Sequence, residues 1–276
     1  MVLNAQHPED AVLTPTLLAT VRFLLASAVF LPVLWRHHAR VPSLRLADLP
    51  AFFLIGQLGF SIYFWLQYTG VSLTNAGVAS VLVVGLIPLA TMVSSALMLR
   101  ERMGARKIAA LALGAAGVAV VASQRGLDLA AEGSFLLGTL CLIANAFCFA
   151  VYSSVVRGLR DRYSPLITTG ATMMAGTLGL ASLSLFFDDW SSLGRLSASQ
   201  WEAILYLGLV CSAAGYFCYN RALTSIEASR AASWIYLEPV VAVIAAAWLL
   251  GEMVTEPTVV GGLVIVGSLY FAERGR

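Results

Sequence analysis

The chain has 276 residues, of which 59% are hydrophobic and 12% are charged, and its formal net charge is +2. A water-soluble domain cannot bury that much apolar surface, so the composition predicts an integral membrane protein. The small net charge, with no basic cluster in a soluble domain, excludes nucleic acid as a partner.

Apolar segments follow one another along the chain, separated by short polar breaks. Each has close to the 20 or so residues that a helix needs to cross about 30 Å of hydrocarbon. We predict nine membrane-spanning helices, at residues 16–35, 50–69, 77–99, 107–123, 134–156, 166–187, 201–220, 230–250 and 257–273.

The polar breaks alternate in charge. Residues 36–45, 100–107, 157–162 and 221–230 and the C-terminal tail are basic, and the intervening breaks are neutral or acidic. By the positive-inside rule, this alternation predicts a cytoplasmic C-terminus and an external residue 1. We expect a multi-pass protein of the bacterial inner membrane.

The chain contains an internal repeat. Pro239 follows Pro88 by 151 residues, and Glu252 follows Glu101 by the same number. Extending the alignment in both directions predicts a repeat unit of five helices, and an odd unit places its two copies in opposite orientations. The predicted fold is therefore an all-α membrane helix bundle of two inverted repeats, residues 1–127 with four helices and residues 128–276 with five.

The helix at 134–156 has no counterpart in the first repeat. The 13 residues before residue 14 are too few and too polar to cross a bilayer. We expect the first helix to be missing through a misassigned start or a truncation, in preference to a genuine nine-helix variant.

Two long stretches carry a family resemblance. "YFCYNRALTSIEASRAASWIYLEPVVAVIAAAWLLGE" resembles the second repeat of the EamA-like exporters in the drug/metabolite transporter superfamily, and "YFWLQYTGVSLTNAGVASVLVVGLIPLATMVSSALMLRE" resembles the first. The resemblance implies a ten-helix bundle that binds substrate near the membrane midplane and exposes it alternately to each side. Arg100 departs from the pattern, because the family has glycine before this glutamate.

Two charged residues lie well inside predicted spans, away from their ends. Glu238, next to Trp234 and Tyr236, either binds an ammonium group or a proton, or serves as a hydrogen-bonded residue at a helix break. Arg22 either meets a substrate carboxylate or the carbonyls of a kink, or extends its long side chain outward.

Several other residues are candidates for the same site. Pro88 and Pro239 each remove a backbone hydrogen bond inside a helix, as a hinge or as a static kink. Polar side chains in helix interiors either line a cavity or join helices by hydrogen bonds. These are Tyr63, Gln67, Asn145, Tyr152 and Tyr216.

The leading functional hypothesis is a secondary transporter that exports amino acids with aromatic or other amphipathic side chains, or related metabolites. Its partners would be the small-molecule substrate and the lipid bilayer, and a homodimer is left open. We expect no cofactor and no metal, and an enzyme is disfavoured because His7, His37 and His38 lie in the N-terminal segment or the first loop. The alternatives are a sugar-phosphate exchanger, disfavoured because no lysine lies inside a span away from its ends, and a regulatory membrane protein that transports nothing.

Overall fold

A computed structural model of the protein describes residues 13–37, 45–74, 76–122, 133–241, 244, 248 and 256–273. Over these residues the secondary structure is helical, and no strand is present. The α-helices are α1 (Pro15–His37), α2 (Leu49–Gly56), α3 (Ile62–Leu73), α4 (Ala76–Leu99), α5 (Ala105–Ala122), α6 (Gly133–Gly158), α7 (Pro165–Phe187), α8 (Ala198–Tyr206), α9 (Gly215–Ala222), α10 (Ala228–Ser233) and α11 (Glu256–Glu273).

The helices confirm that the protein is an all-α, polytopic membrane helix bundle. Within the part of the chain that the structure describes, six helical stretches are long and apolar enough to cross a bilayer, and Val259–Phe271 is a shorter apolar stretch within α11. Helix bounds lie within a few residues of eight of the predicted spans. Much of the ninth, at 230–250, and Glu252 lie outside the described residues.

Local sequence explains several helix ends. Thr14 and Ser164 each precede a proline, and the hydroxyl of each accepts a hydrogen bond from the backbone N–H three residues later, at 3.2 and 3.4 Å. A hydroxyl cap followed by proline is a favoured helix start. Arg100 follows the end of α4 with φ at 56°, in the left-handed region that favours glycine. The family's glycine at this position therefore has a conformational reason.

Five short segments of the described residues depart from α-helical geometry, and two of them, Leu46–Asp48 and Trp190–Arg195, are 3₁₀-helices outside the predicted spans. Gln57–Ser61, between α2 and α3, and Leu207–Ala214, between α8 and α9, are π-helical. Trp234–Leu237, which follows α10, is a 3₁₀-helix. Such segments often mark functional positions because they change the direction of side chains and leave backbone groups with altered partners.

The chain forms two compact units. Unit 1 comprises Met1–Tyr68 with Val155–Ser225, and unit 2 comprises Thr69–Ser154 with Ile226–Arg276. Each unit thus combines a segment from each of the two predicted repeats. The repeat boundary at residues 127 and 128 remains a prediction.

In unit 1, α1 packs antiparallel on α7, its predicted counterpart. Ser27 and Thr177, 150 residues apart, share a hydrogen bond of 2.9 Å between their side-chain oxygens. A Cβ on Gly56 would lie 2.4 Å from the Thr172 carbonyl oxygen of α7, and a Cβ on Gly208 would lie 3.0 Å from the Arg22 carbonyl oxygen of α1. Two copies of one unit related by a two-fold axis would produce such matched contacts.

In unit 2, α5 packs against α11, which is also its predicted counterpart. A Cβ on Gly117 would lie 2.8 Å from Ile265, and a Cβ on Gly114 would lie 3.0 Å from the Ser268 hydroxyl. As the residue number rises along α5 it falls along α11, so the two helices are antiparallel. Small residues permit this close approach.

Candidate functional site

A cation lies among hydroxyls and aromatic rings in unit 1. Arg22, in the second turn of α1, is partly buried, and its Nε donates a hydrogen bond of 2.9 Å to the Ser212 hydroxyl. The phenol of Tyr68 lies near the same guanidinium, and its ring centroid lies 5.9 Å from that of Phe64. Within the described residues, Arg22 forms no ion pair with a carboxylate.

Aromatic rings surround the Arg22 guanidinium. Its central carbon lies 4.8 Å from the ring centroid of Phe23 and 5.0 Å from that of Phe64, which is within the range of a cation–π interaction. The Phe23 ring also contacts Phe60 and Tyr216, at centroid distances of 5.2 and 6.1 Å. We call Arg22, Ser212, Tyr68 and these four rings the Arg22 cluster.

The π-helical segments hold parts of this cluster. Ser212 donates its hydroxyl hydrogen to the Leu207 carbonyl five residues back, at 2.9 Å, so its oxygen is oriented to accept from Arg22. Phe60 belongs to the other π-helical segment. That segment is fixed to α7 by Gln57 Nε2, which donates to the Ala175 carbonyl at 2.7 Å.

Three of the predicted site residues in unit 1 come together at or beside the cluster. Arg22 and Tyr216 belong to it, and Tyr63 packs edge-on against Phe64 with ring centroids 4.8 Å apart. Gln67 lies on the same helix as Tyr63 and is partly buried. Their proximity is compatible with a shared binding site, and their role as ligand contacts remains a prediction.

Sequence reasoning missed Ser212, Tyr68 and Phe64. A hydroxyl or phenyl group inside an apolar run is common in packed helices, so nothing in the sequence distinguishes these three residues from packing residues. The internal repeat could have indicated Ser212, because Ser212 follows Ser61 by 151 residues, the spacing of the repeat. Ser61 donates to the Gly176 carbonyl at 2.6 Å, whereas Ser212 accepts from Arg22.

In unit 2, the predicted residues Asn145 and Tyr152 are both fully buried in α6. Tyr236 is buried to 1% exposure, and its hydroxyl lies 3.1 Å from each of the carbonyl oxygens of Gly85 and Leu111. Its ring fills the space above Gly114, where a Cβ would lie 2.5 Å from two ring carbons. This environment favours a packing role for Tyr236.

The remaining predicted residues surround the 3₁₀-helix of unit 2. Trp234 is 49% exposed, and Glu238, at the end of the 3₁₀-helix, is exposed as well. Pro239 follows Glu238 directly, so the chain changes helical geometry just before this proline. Pro88, its counterpart, is buried inside the continuous helix α4. The two prolines therefore lie in different local structures, and their role as hinges remains a prediction.

A second charged cluster joins two connecting segments of unit 2. The Glu101 carboxylate accepts hydrogen bonds from the Ala228 backbone N–H at 3.0 Å and from the Ser229 hydroxyl at 2.8 Å. Lys107 Nζ lies 2.9 Å from Glu227 Oε2 and 3.9 Å from Glu101 Oε2. Burial alone would raise the pKa of Glu101, but these hydrogen bonds and the Lys107 charge outweigh it and hold the pKa below its ordinary value.

The described residues contain no group of three His, Cys, Asp or Glu side chains that could hold a metal ion. The Arg22 cluster offers binding chemistry. A guanidinium beside aromatic rings can hold an anionic group next to an apolar one.

Comparison with known proteins gives a consistent result. The model of the EamA-like transporter family matches residues 10–123 and 136–273. An uncharacterized transporter of Archaeoglobus fulgidus is 29% identical over 265 residues, which are 96% of this chain and 90% of that protein. A crystal structure with 20% sequence identity aligns with a TM-score of 0.81, covering 94% of this chain and 86% of that one, and so shares the fold.

Two further relatives have more specific names. A "Probable amino-acid metabolite efflux pump" of Salmonella typhimurium is 30% identical, over 95% of this chain and 86% of the pump. A "Probable terminal-alkyne amino-acid exporter" of Streptantibioticus cattleyicolor is 29% identical, over 83% of this chain and 75% of the exporter.

Proposed function

Because the chain belongs to the EamA-like transporter family, we propose that it is a secondary transporter that exports amino acids with aromatic or other amphipathic side chains by alternating access. The observation that carries the proposal is the Arg22 cluster, where a cation on a membrane-spanning helix meets aromatic rings. The names of the two amino-acid exporters among its relatives support the same substrate class. The relatives are named as transporters, which supports transport without a chemical reaction on the substrate.

Reconstituted transport tests this proposal. Purified full-length protein in proteoliposomes would be given labelled L-phenylalanine, L-leucine, benzyltrimethylammonium and glucose 6-phosphate in parallel, with protein-free liposomes as the control. We expect saturable uptake of the amino acids and none of the sugar phosphate. Saturable exchange of the sugar phosphate alone would favour the sugar-phosphate exchanger, and no flux from a monodisperse protein would favour the regulatory alternative.

We further propose that the protein lies in the bacterial inner membrane with its C-terminus in the cytoplasm. Segments predicted on the cytoplasmic side contact each other within each unit. Arg162 Nη2 lies 3.2 Å from Asp48 Oδ2 in unit 1, and Lys107 Nζ lies 2.9 Å from Glu227 Oε2 in unit 2. A C-terminal alkaline phosphatase fusion should be inactive and a C-terminal green fluorescent protein fusion should fluoresce. The reverse pattern would overturn the orientation.

A further inference from the structure

Arg22 differs from the ion-paired cations of the described residues in what neutralises it. Lys107, Arg162 and Arg195 each pair with a carboxylate, at 2.9, 3.2 and 3.4 Å. Arg157 Nη1 donates to the Leu223 carbonyl at 2.8 Å. Arg22 has one hydroxyl partner, Ser212, and two ring faces, and among the described residues its terminal nitrogens meet no carboxylate.

Without a bound ligand, the position of Arg22 is unfavourable in free energy. Placing an arginine at membrane depth costs about 3 kcal/mol on insertion scales unless the charge is paired. Hydroxyls and ring faces offset only part of that cost, because neither carries a full negative charge. A bound anion would supply the missing counter-charge.

The guanidinium also selects the shape of the anion. Its planar fork of donors matches a carboxylate in a bidentate geometry. The rings of Phe23, Phe64 and Phe60 next to it form an apolar wall, with centroids of neighbouring rings 4.9 to 5.2 Å apart. A monocarboxylate with an aromatic or apolar group two or three bonds away would place each part against a matching surface.

We propose that the Arg22 cluster is the subsite that binds the substrate's carboxylate, with Ser212 orienting the guanidinium and Tyr68 lying beside it. The proposal rests on the proposed transport function and deepens it, because it makes the carboxylate the required group of the substrate. The amino group is then secondary at this subsite. Molecules that keep the carboxylate and lose the amine should bind, and molecules that keep the amine and lose the carboxylate should not.

Binding to the purified full-length protein in detergent tests this directly. The probes are 3-phenylpropionate, which has the ring and the carboxylate, and phenethylamine, which has the ring and the amine. Affinities would be measured by isothermal titration calorimetry for the unmodified protein, Arg22→Gln and Arg106→Gln. Arg106 is the matched control, because it also lies over a ring, Phe271, at 4.7 Å, and donates to a carbonyl, but lies outside the Arg22 cluster.

We expect Arg22→Gln to weaken 3-phenylpropionate roughly 10- to 100-fold, the range of charge-assisted hydrogen bonds. Phenethylamine should bind equally or better in this variant, because the repelling charge is gone. Arg106→Gln should change neither affinity. A purely structural role for Arg22 would weaken both probes together, and that result would overturn the proposal, as would equal affinity for both probes in the unmodified protein.

Should Arg22→Gln fail to fold, Arg22→Lys carries the same test, because it keeps the charge and loses the planar fork. It should weaken 3-phenylpropionate roughly 3- to 10-fold and leave phenethylamine unchanged; an unchanged carboxylate affinity would overturn the proposal. Binding that depends on Arg22 without flux in proteoliposomes would uphold this subsite and refute transport. Amino-acid flux that is insensitive to Arg22 would uphold transport and refute the subsite.

Discussion

Arg22 in unit 1 and Glu101 in unit 2 are both partly buried charged residues, and the two units neutralise their charges differently. Glu101 accepts hydrogen bonds from the backbone of Ala228 and the hydroxyl of Ser229, and its side chain is 8% exposed. Arg22 donates to the Ser212 hydroxyl and lies over two rings, without a carboxylate partner among the described residues.

We interpret this difference as that between a structural charge, Glu101, and the proposed binding charge, Arg22. Partners within the protein compensate the desolvation of Glu101, so it stabilises the junction of two segments and has no capacity left for a ligand. The charge of Arg22 is only partly compensated, which leaves free energy to be gained when an anion binds. Perturbed and incompletely paired charges are found at functional sites for this reason.

Assigning Arg22 to binding requires that backbone packing, and not Arg22 itself, stabilises unit 1. Gly56→Ala tests this requirement, and its effect on stability is the largest that we expect. The new Cβ would lie 2.4 Å from the Thr172 carbonyl oxygen and 2.8 Å from the Ala175 Cβ. We expect the helices to separate and the free energy of unfolding to fall by about 3 kcal/mol. The thermal midpoint of the purified protein in detergent would report the loss.

Gly85→Ala is the matched control. A Cβ at this position in α4 meets no heavy atom of the described residues within 4 Å, so helix propensity should leave the variant equal or slightly more stable, by up to about 1 kcal/mol. Equal stability of the two alanine variants would show that close backbone contact does not determine the packing of unit 1.

Two tyrosines test the same contrast between the units, with smaller expected effects. Tyr236→Phe removes the hydroxyl that meets the Gly85 and Leu111 carbonyls in the core of unit 2. We expect it to cost about 1–2 kcal/mol of stability and to leave the transport rate per folded molecule unchanged. Tyr68→Phe should have the opposite profile, with a smaller loss of stability and weaker binding of carboxylate substrates.

Thermal midpoints and initial rates of L-phenylalanine uptake, measured on the same preparations, would separate these effects. If Tyr236→Phe reduced transport of a fully stable protein, or Tyr68→Phe changed stability alone, then the assignment of one tyrosine to the fold and the other to the site would be wrong.

Much of the fold was predictable because the bilayer imposes it. A span must be apolar and about 20 residues long, so hydropathy located the ends of α1, α6 and α7 to within a few residues. The π-helical segments were not predicted, because they depend on contacts such as that of Gln57 with α7, which single-sequence hydropathy does not contain.

Residues of the proposed site could be predicted from sequence only where the residue type is energetically unfavourable at its position. Arg22 stood out as a charge in an apolar run, and Arg100 stood out as a departure from the family's glycine, which its φ of 56° explains. Sequence could not tell which tyrosine hydroxyls are used by the protein's own backbone. Tyr236 was therefore predicted to contact substrate, and Tyr68, which lies near Arg22, was not predicted at all.

The smallest expected effect is the pH dependence of the stability that Glu101 contributes. Its pKa in the folded protein lies below the ordinary value of 4.5, so an unfolded chain takes up this proton first as the pH falls. The stability it contributes is therefore fully present above about pH 4.5 and is lost as the pH falls through the lowered pKa.

Glu101→Gln should lower the free energy of unfolding by up to about 1 kcal/mol at pH 7, because the charge-assisted hydrogen bonds to Ala228 and Ser229 become neutral ones. The difference from the unmodified protein should shrink as the pH falls below about 4.5, where Glu101 of the unfolded chain begins to be protonated, and the loss should be complete below the lowered pKa of the folded protein. Unfolding midpoints between pH 3 and 7 would measure it, with the exposed Glu202→Gln as the control. A difference that stayed constant over this range would mean that the charge of Glu101 does not stabilise unit 2, and the contrast with Arg22 would then rest on hydrogen bonds alone.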